Sequence, residues 1–458
     1  MPMAAAGAQS SRGNSSVRKG GLPPGLAPRR LAARILRRVV CAGQMLDDAL
    51  ASEARGFEPL SPRDRALTEQ IVRTALRHRG QIEAALSRFL RRKLPKKATL
   101  TRALLLAAGA QILFLRVPAH AAISTAVAIA RQDREGRPMA GMVNAVLRRL
   151  AAARDDLLPK LDPLQLNIPD WLRMNWIRHW GEKTARAMAE ALLVEPALDV
   201  TVKNPAMSAA WAERLEGLLL PTGTVRVART TGPVSSLPGF AEGKWWVQDA
   251  AAALPVKLMG DVAGKRVLDL CAAPGGKTAQ LAAAGARVTA VDVSERRLAR
   301  LHENLARLDL SAEVVVADML DWQPDAPADL VLLDAPCTAT GTARRHPEVL
   351  WLKTPAQMQA LIDLQWQMLE RAAGFVRTGG LLVYCVCAMQ PEEGEAQVAR
   401  FLEMHAEFVR VPVQAAEVGG QAHFLTPEGD VRTLPPMSIG ASRHLDGFYI
   451  ARLQRQSG

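Results

Sequence analysis

Apolar positions follow different patterns along the chain. Residues 1–27 are rich in Gly, Ser and Pro and have few large apolar side chains. They cannot bury enough surface to offset the entropy of ordering, which predicts a disordered basic tail. Apolar positions then recur at helical spacing over residues 28–154, which predicts an all-α unit. Its clearest start signal is Ser61 before Pro62, a capping residue followed by proline at the first helical position.

Residues 155–245 are less regular and predict a small α+β connector, with a short strand over residues 198–202. Trp171, Trp176 and Trp180 lie at the spacing of one helix. Tryptophans in such a pattern pack in a core more often than they stack on bases. We therefore assign these three side chains mainly to packing.

Over residues 246–458, apolar runs of strand length alternate with helical patterns. This alternation predicts an α/β unit, in which helices cover both faces of a mostly parallel sheet. The helix between the fourth and fifth strands carries apolar residues at mainly helical spacing: Leu361, Leu364, Met368, Leu369 and Ala372. The predicted strands are residues 266–270, 286–291, 313–317, 330–333, 380–386 and 448–453.

Charge is divided unevenly between these units. The chain has 458 residues and a net charge of +13. Residues 1–154 hold 28 Lys and Arg against 9 Asp and Glu, whereas the remainder holds 30 against 36. Such a concentrated positive charge favours a polyanion bound by counterion release, so nucleic acid is the predicted partner. The alternative is a basic unit that is merely soluble.

Composition also bounds the location of the protein. The 5 cysteines form no evenly spread framework of the kind that staples secreted domains, which predicts reduced thiols in the cytoplasm. No apolar run reaches the roughly 18 to 20 residues of a membrane span, so a soluble protein is expected. Residues 1–46 lack Asp and Glu, as an organellar transit peptide does, but we favour a basic tail.

A strand that runs into a glycine-bearing turn marks the predicted cofactor site, because such turns bind nucleotide-like ligands in α/β sheets. A phosphate-binding P-loop is excluded, since Cys271 occupies the position of its first glycine, and the three-glycine dinucleotide spacing is absent as well. What is left is a tight turn whose small residues let a ligand approach the backbone. The predicted cofactor-binding residues of this turn are Cys271, Ala272, Ala273, Pro274, Gly275, Gly276 and Lys277.

Three carboxylates end successive predicted strands. Asp292 is placed to accept both hydroxyls of a ribose, Asp318 is placed to reach an adenine edge, and Asp334 ends the fourth strand. One such residue is ordinary, because Asp favours turns and caps, but a series of three is not. An adenosine-type ligand without a phosphate cradle fits S-adenosylmethionine.

Two cysteines follow apolar runs that end at the same predicted edge, Cys337 and Cys387. Cys385 is a second candidate, because residues two apart share one face of a strand, and the pattern alone does not choose between Cys385 and Cys387. Cys41 is interpreted as a small buried hydrophobic residue. We predict no metal site, since the spacing of Cys385 and Cys387 is not that of structural zinc ligands.

Three motifs resemble those of the RNA cytosine-5 methyltransferases: Asp269-Leu-Cys-Ala-Ala-Pro-Gly-Gly-Lys-Thr278, Leu333-Asp-Ala-Pro-Cys337 and Cys387-Ala-Met-Gln-Pro-Glu-Glu393. Residues 28–154, with Gly141-Met-Val-Asn-Ala-Val-Leu-Arg-Arg149 near their end, resemble the helical RNA-binding domain of the antitermination factor NusB. The resemblance covers almost the whole chain. It implies a class I methyltransferase domain with a Rossmann-like sheet, joined through the connector to a NusB-like domain.

The resemblance also implies an activity. Family members transfer a methyl group from S-adenosylmethionine to carbon 5 of cytosine. The pairing of such a domain with a NusB-like domain implies 16S ribosomal RNA, in an unassembled or partly assembled small subunit, as the substrate, and a monomeric enzyme is expected. Carbon 5 is a poor nucleophile, so a thiolate first adds to carbon 6. The resemblance assigns this attack to Cys387 and assistance of release to Cys337. Asp334 is expected to contact the cytosine edge and to border the cofactor.

The chain departs from the family pattern at two places. Val386 and Ala388 flank Cys387 where the family commonly has Thr and Ser, and Lys203-Asn204 stands where an Arg-containing strand is usual. Neither change removes a required functional group.

One basic segment and two rival functions complete the predictions. Residues 344–347, Arg-Arg-His-Pro, are predicted to clamp RNA phosphates at the mouth of the site, the alternative being a solvated loop. The rival functions are a non-catalytic RNA-binding factor and an enzyme that acts on another RNA, such as tRNA, or on DNA.

Overall fold

The amino-terminal unit is all-α, as predicted. A computed structural model of the chain describes residues 25–115, 117–227 and 232–457, so the predicted tail lies outside it except for residues 25–27. Leu26 and Ala27 already belong to the first helix, which corrects the predicted end of the tail. The helices are α1 (Leu26–Ala42), α2 (Leu46–Ser52), α3 (Ala54–Phe57), α4 (Pro62–Arg77), α5 (Arg79–Ser87), α6 (Thr99–Leu113), α7 (Ala119–Gln132), α8 (Ala140–Ala152) and α9 (Arg154–Leu157).

Helix α6 is the centre of this unit. It is apolar on all sides and almost wholly buried against α1, α4, α5, α7 and α8. The predicted start of α4 is confirmed, because the Ser61 hydroxyl accepts a hydrogen bond from the Asp64 backbone N–H at 3.2 Å. Among the described residues, no helix is both long enough and apolar enough to cross a membrane.

The connector is an antiparallel sheet in the order β2-β3-β1-β4, flanked by helices. Trp176 is fully buried, and Trp171 and Trp180 pack in the same apolar cluster, which confirms their assignment to packing. The elements are α10 (Pro163–Leu166), α11 (Asp170–Ala191), β1 (Leu198–Val202), α12 (Ser208–Arg214), β2 (Gly217–Leu219), β3 (Val225–Val227) and β4 (Trp245–Val247).

The third unit is built on an eight-stranded sheet, in which seven strands follow the order β10-β14-β9-β8-β5-β6-β7 and β11 also pairs with β14. Strands β5 to β9 are parallel to one another, whereas β14 is antiparallel to β9. The elements are α13 (Leu254–Lys257), β5 (Arg266–Leu270), α14 (Gly276–Ala283), β6 (Arg287–Asp292), α15 (Glu295–Leu308), β7 (Glu313–Val316), β8 (Ala328–Asp334), α16 (Val349–Leu352), α17 (Pro355–Phe375), β9 (Val376–Val386), α18 (Glu395–Met404), β10 (Phe408–Arg410), β11 (Val431–Thr433), β12 (Ser438–Ile439), β13 (Ser442–Arg443) and β14 (Phe448–Arg455).

Both faces of this sheet are buried, which confirms the predicted α/β arrangement. Alternate residues of β8 point to opposite faces, so Val331 and Leu333 pack with α17, whereas Leu330 and Leu332 pack with α13. Because the parallel strands run in one direction, their carboxyl ends lie at one edge of the sheet, where ligands bind in folds of this kind. The predicted site residues meet at that edge.

Candidate active site

The turn after β5 contains two residues with left-handed backbone conformations. Cys271 has a left-handed φ of 63°, and Gly275 has a φ of 99°. A Cβ atom at Gly275 would lie 2.7 Å from Leu301 Cγ, so the close approach of α15 also requires glycine there. The Thr278 hydroxyl donates to Asp269 Oδ2 at 2.6 Å and fixes the first turn of α14.

Asp292, at the end of β6, is held against this turn. Its Oδ2 accepts from the Ala273 N–H at 3.0 Å, and its Oδ1 accepts from the Ser294 N–H at 2.9 Å. Asp318 is different, because it is exposed two residues beyond β7 and its Oδ1 accepts from the Leu320 N–H at 3.0 Å. Asp292 therefore shapes the turn, whereas the Asp318 carboxylate is bonded within its own loop.

The buried amine of Lys277 forms an ion pair with the half-buried carboxylate of Asp334. The Lys277 Nζ lies 2.6 Å from Asp334 Oδ2 and 5.3 Å from the centre of the Phe448 ring. Burial favours the neutral amine, but the Asp334 carboxylate outweighs it and raises the pKa of Lys277 above its ordinary value. The Lys277 side chain thus points to the end of β8, and its backbone belongs to the cofactor turn.

Cys337 and Cys387 lie side by side, with their Sγ atoms 3.4 Å apart. A hydrogen bond with Cys387, together with burial, raises the pKa of the Cys337 thiol well above its ordinary value. Cys385 occupies a different place: it is fully buried in β9, and its Sγ lies 3.4 Å from Asp334 Oδ1. Strand β9 ends at Val386, so Cys387 is the first residue free of the ladder.

Comparisons with known proteins establish the family. The model of the family "16S rRNA methyltransferase RsmB/F" matches residues 257–454, and that of the NusB family matches residues 26–152. A ribosomal RNA small subunit methyltransferase B from Xanthomonas campestris is 36% identical over 447 residues, which are 94% of this chain and 98% of that protein. The chain belongs to the RsmB/F family of 16S rRNA methyltransferases. It is therefore an enzyme that methylates ribosomal RNA with S-adenosylmethionine as the methyl donor.

Solved structures show the same architecture. The crystal structure of PH0851 has a TM-score of 0.72 and 23% identity, with 96% of this chain and 100% of that chain covered. NSun6 from Pyrococcus horikoshii, solved with SFG, has a TM-score of 0.53 and 19% identity, with 63% and 99% covered. These likenesses support the fold of an RsmB/F methyltransferase.

The residues at the sheet edge fit the donor that the RsmB/F family uses. A Cβ atom at Gly276 would meet nothing closer than 3.8 Å, so the turn leaves room for a ligand beside the backbone. Val293, just after Asp292, is 69% exposed and offers an apolar surface to an adenine ring. Asp269 Oδ1 is buried and lacks a hydrogen-bond partner among the described residues, so it can accept from the amino group of the donor. The chemistry of these groups fits a ligand made of a nucleoside and an amino acid, with no phosphate cradle.

Sequence reasoning missed the groups that hold the Cys337 loop. Glu393 is fully buried, and its Oε2 accepts from the Thr338 N–H at 2.8 Å. Gln365, on α17, donates to the Pro336 carbonyl at 2.9 Å and to Glu393 Oε2 at 3.0 Å. The Pro-Glu-Glu motif was a signal for Glu393, whereas Gln365 lies in a helical pattern that gives it no distinguishing mark.

The prediction that residues 344–347 of this RsmB/F methyltransferase clamp RNA phosphates is wrong. Arg344 is only 3% exposed, and Arg345 pairs with Asp249 Oδ2 at 3.1 Å and with the buried carboxylate of Asp446. Burial lowers the pKa of His346 below its ordinary value. These side chains neutralise or pack against buried groups, because an isolated buried carboxylate is costly.

The structure also shows the surroundings of Cys41 and Lys203, two residues discussed in the sequence. Cys41 is exposed, which corrects its assignment as a buried residue, because it lies in the last turn of α1 away from the apolar stripe. The Lys203 Nζ donates to the carbonyls of Leu308 at 2.5 Å and Asp309 at 3.1 Å. Lys203 therefore fastens the connector to the end of α15.

Proposed function

We propose that this enzyme methylates carbon 5 of one cytosine in 16S ribosomal RNA through a covalent bond between Cys387 and carbon 6. The observation that carries the proposal is the pair of thiols, whose Sγ atoms are 3.4 Å apart. Cys337 follows the end of β8 by three residues, and Cys387 follows the end of β9 by one. Two adjacent thiols suit a reaction that must both form and break a bond to the base.

Each group has a part in the proposed reaction. Asp334 hydrogen-bonds the N3 and amino edge of the cytosine, and Lys277 holds that carboxylate in place. The Cys387 thiolate adds to carbon 6, and the electron pair of the carbon 5–carbon 6 double bond becomes available at carbon 5. The donor, when bound, supplies the methyl group that carbon 5 receives.

Release needs the second thiol. After Cys337 has lost its own proton to water, its thiolate takes the proton of carbon 5. The electron pair of that C–H bond re-forms the double bond between carbons 5 and 6, and Cys387 leaves carbon 6 as a thiolate. Once Cys387 is bonded to carbon, it is no longer a thiolate that accepts a hydrogen bond from Cys337. The interaction that raises the pKa of Cys337 is then weakened, so Cys337 ionises more easily at the step that needs it. Cys385 is unsuited to attack, because its sulfur is buried and hydrogen-bonded to Asp334. Burial also raises the pKa of the Cys385 thiol well above its ordinary value.

The 16S target rests on the relatives and on charge. The matched relative from Xanthomonas campestris is a small-subunit enzyme, and the amino-terminal unit holds most of the excess positive charge. Basic side chains between α5 and α6 are exposed and placed to bind phosphates of an unassembled or partly assembled subunit: Arg91, Arg92, Lys93, Lys96 and Lys97.

The two cysteine variants test the covalent step. We expect Cys337→Ala to accumulate a denaturation-resistant complex with 16S RNA, because addition proceeds and release does not. Cys387→Ala should form no complex. Denaturing gels with labelled RNA measure both, and the reverse pattern would exchange the two roles. Mapping of 5-methylcytosine in a deletion strain tests the target, and unchanged 16S RNA would contradict it.

A further inference from the structure

The peptide groups on the two sides of Cys337 are each held by a buried side chain. The Pro336 carbonyl accepts from Gln365 Nε2 at 2.9 Å, and the Thr338 N–H donates to Glu393 Oε2 at 2.8 Å. Gln365 and Glu393 also bond to each other at 3.0 Å. The chain can therefore rotate little at Cys337 without breaking one of these bonds.

The Glu393 carboxylate has a second bond to the same loop. The Thr338 hydroxyl donates to its Oε1 at 2.5 Å, and Tyr384 OH donates to the Glu393 carbonyl at 2.7 Å. Glu393, Gln365 and Thr338 are all fully buried, so water does not compete for these groups. The turn that carries Glu393 is thereby tied to β9 on one side and to the Cys337 loop on the other.

The same loop is bonded to the residue that carries the other thiol. The Gly341 N–H donates to the Cys387 carbonyl at 2.9 Å, and the Thr340 hydroxyl and Gln390 Oε1 lie 2.5 Å apart. Ala339 has a left-handed φ of 57°, a strained conformation for a residue with a side chain that surrounding contacts must maintain. The two loops form one buried network, which fixes the separation of the two sulfurs.

We propose that Gln365 and Glu393 are positioning residues for Cys337, and that they govern release of the methylated base more than formation of the covalent bond. This inference rests on the proposed function, in which Cys337 receives the proton of carbon 5. Neither residue touches the reacting atoms. Both act by placing the Cys337 sulfur, and proton transfer is sensitive to small displacements of the acceptor.

Two variants test the hydrogen bonds on the two sides of Cys337. Gln365→Met keeps the length of the side chain and removes the donor to Pro336 and Glu393. Glu393→Gln keeps the shape but leaves the two Thr338 donors with one acceptor atom instead of two. Thr289→Val is the matched control. It removes a buried hydroxyl of β6 that donates to Glu313 of β7 at 2.7 Å, in two strands that carry neither Cys337 nor Cys387.

The measurement is the time course of the denaturation-resistant complex with a full-length 16S RNA transcript and S-adenosylmethionine, with thermal unfolding recorded for every variant. We expect release to slow about tenfold or more in Gln365→Met and Glu393→Gln, with complex formation and KM for RNA changed far less, as expected for a small misplacement of a reacting group. Thr289→Val should release the RNA at the wild-type rate.

The outcomes separate the inference from the function on which it rests. If Cys337→Ala accumulates the complex but both variants release RNA at the wild-type rate, the positioning role is refuted. Equal slowing of formation and release would refute it too, because a general loss of structure acts on both steps. If Cys337→Ala itself accumulates no complex, the proposed function fails.

Discussion

At the scale of single residues, the direction of a side chain decides its part in the site. Lys277 lies in the cofactor turn, but its amine reaches 2.6 Å from Asp334 at the end of another strand. Cys385 and Cys387 are two residues apart, yet one sulfur contacts Asp334 and the other contacts Cys337. The role of such a residue therefore cannot be assigned from its neighbours in the sequence alone, and the position of its side-chain atoms is needed as well.

Replacement of Lys277 distinguishes between a role beside the reacting base and a role in binding the cofactor. We expect Lys277→Met to lower the single-turnover rate of methyl transfer by about 100-fold, because a fixed charge beside the reacting base is lost, while the Kd for S-adenosylmethionine changes less than about tenfold. Rapid-quench kinetics and calorimetric titration measure the two effects. Lys257→Met, which alters a lysine of α13 outside the site, is the control. A loss of cofactor affinity as large as the loss of rate would instead assign Lys277 to the cofactor.

The sequence predicted which residues lie at the strand ends but not how they are paired. Asp292, Asp334, Cys337 and Cys387 stand out because each follows an apolar run, and parallel strands bring their ends together. The pattern of apolar positions carries no information on which polar groups bond across the edge. Gln365 was missed for this reason, since its partner Pro336 is 29 residues away.

At the scale of elements, the parallel strands give the site its layout. Strands predicted at residues 266–270 and 448–453 are observed as β5, over Arg266–Leu270, and β14, over Phe448–Arg455. Short strands such as β10 and β11 escaped prediction because three residues are too few to show a period. Strand order was not predictable either, since a buried strand reads the same wherever it lies in a parallel sheet.

Asp292 connects the end of β6 to the cofactor turn, so its loss should affect binding of the donor. We expect Asp292→Ala to raise the Kd for S-adenosylmethionine by about 10- to 100-fold, because the hydrogen bond of its carboxylate to Ala273 and the predicted bonds to the ribose are lost together. Asp318→Ala, at an exposed position, should raise it less than about tenfold. Calorimetric titration measures both Kd values, and equal effects of the two variants would contradict the expected larger role of Asp292.

At the scale of the whole molecule, the NusB-like unit is fastened to the methyltransferase unit by contacts between residues far apart in the chain. Glu348 Oε1 accepts from the Leu46 N–H at 3.0 Å, and Arg296 pairs with Asp48 at 2.8 Å. The guanidinium of Arg79 lies 4.8 Å from the centre of the Trp351 ring. The distribution of charge predicted a basic half joined to a mildly acidic half, but not the contacts between them, because the contacting residues share no local pattern.

The buried carboxyl of Glu348, at the contact between the two units, predicts that the stability of the protein depends on pH. Burial raises the pKa of Glu348 to about 7 from an ordinary value of 4.5. Between these values the folded protein keeps a proton that the unfolded chain has released, so stability falls as pH rises through this window. Glu348→Gln keeps an acceptor for Leu46 and cannot ionise. We expect the variant to be more stable than wild type at pH 8, by up to roughly 3 kcal/mol, and to match it more closely near pH 4.

Urea unfolding between pH 4 and pH 8 measures this difference. Glu303→Gln makes the same change of charge at an exposed position of α15 and should retain the wild-type pH profile. Parallel pH profiles for Glu348→Gln and wild type would show that Glu348 does not titrate in this window.

The side-by-side thiols also fix the stereochemistry of the proposed reaction. A planar base between two sulfurs would need them about 7 Å apart, twice an ordinary contact distance, whereas the Sγ atoms are separated by 3.4 Å. Both sulfurs must therefore approach cytosine from one side of its plane. The proton then leaves carbon 5 on the same face that carries the sulfur at carbon 6, a syn elimination. Only the opposite face of the base is left for the incoming methyl group.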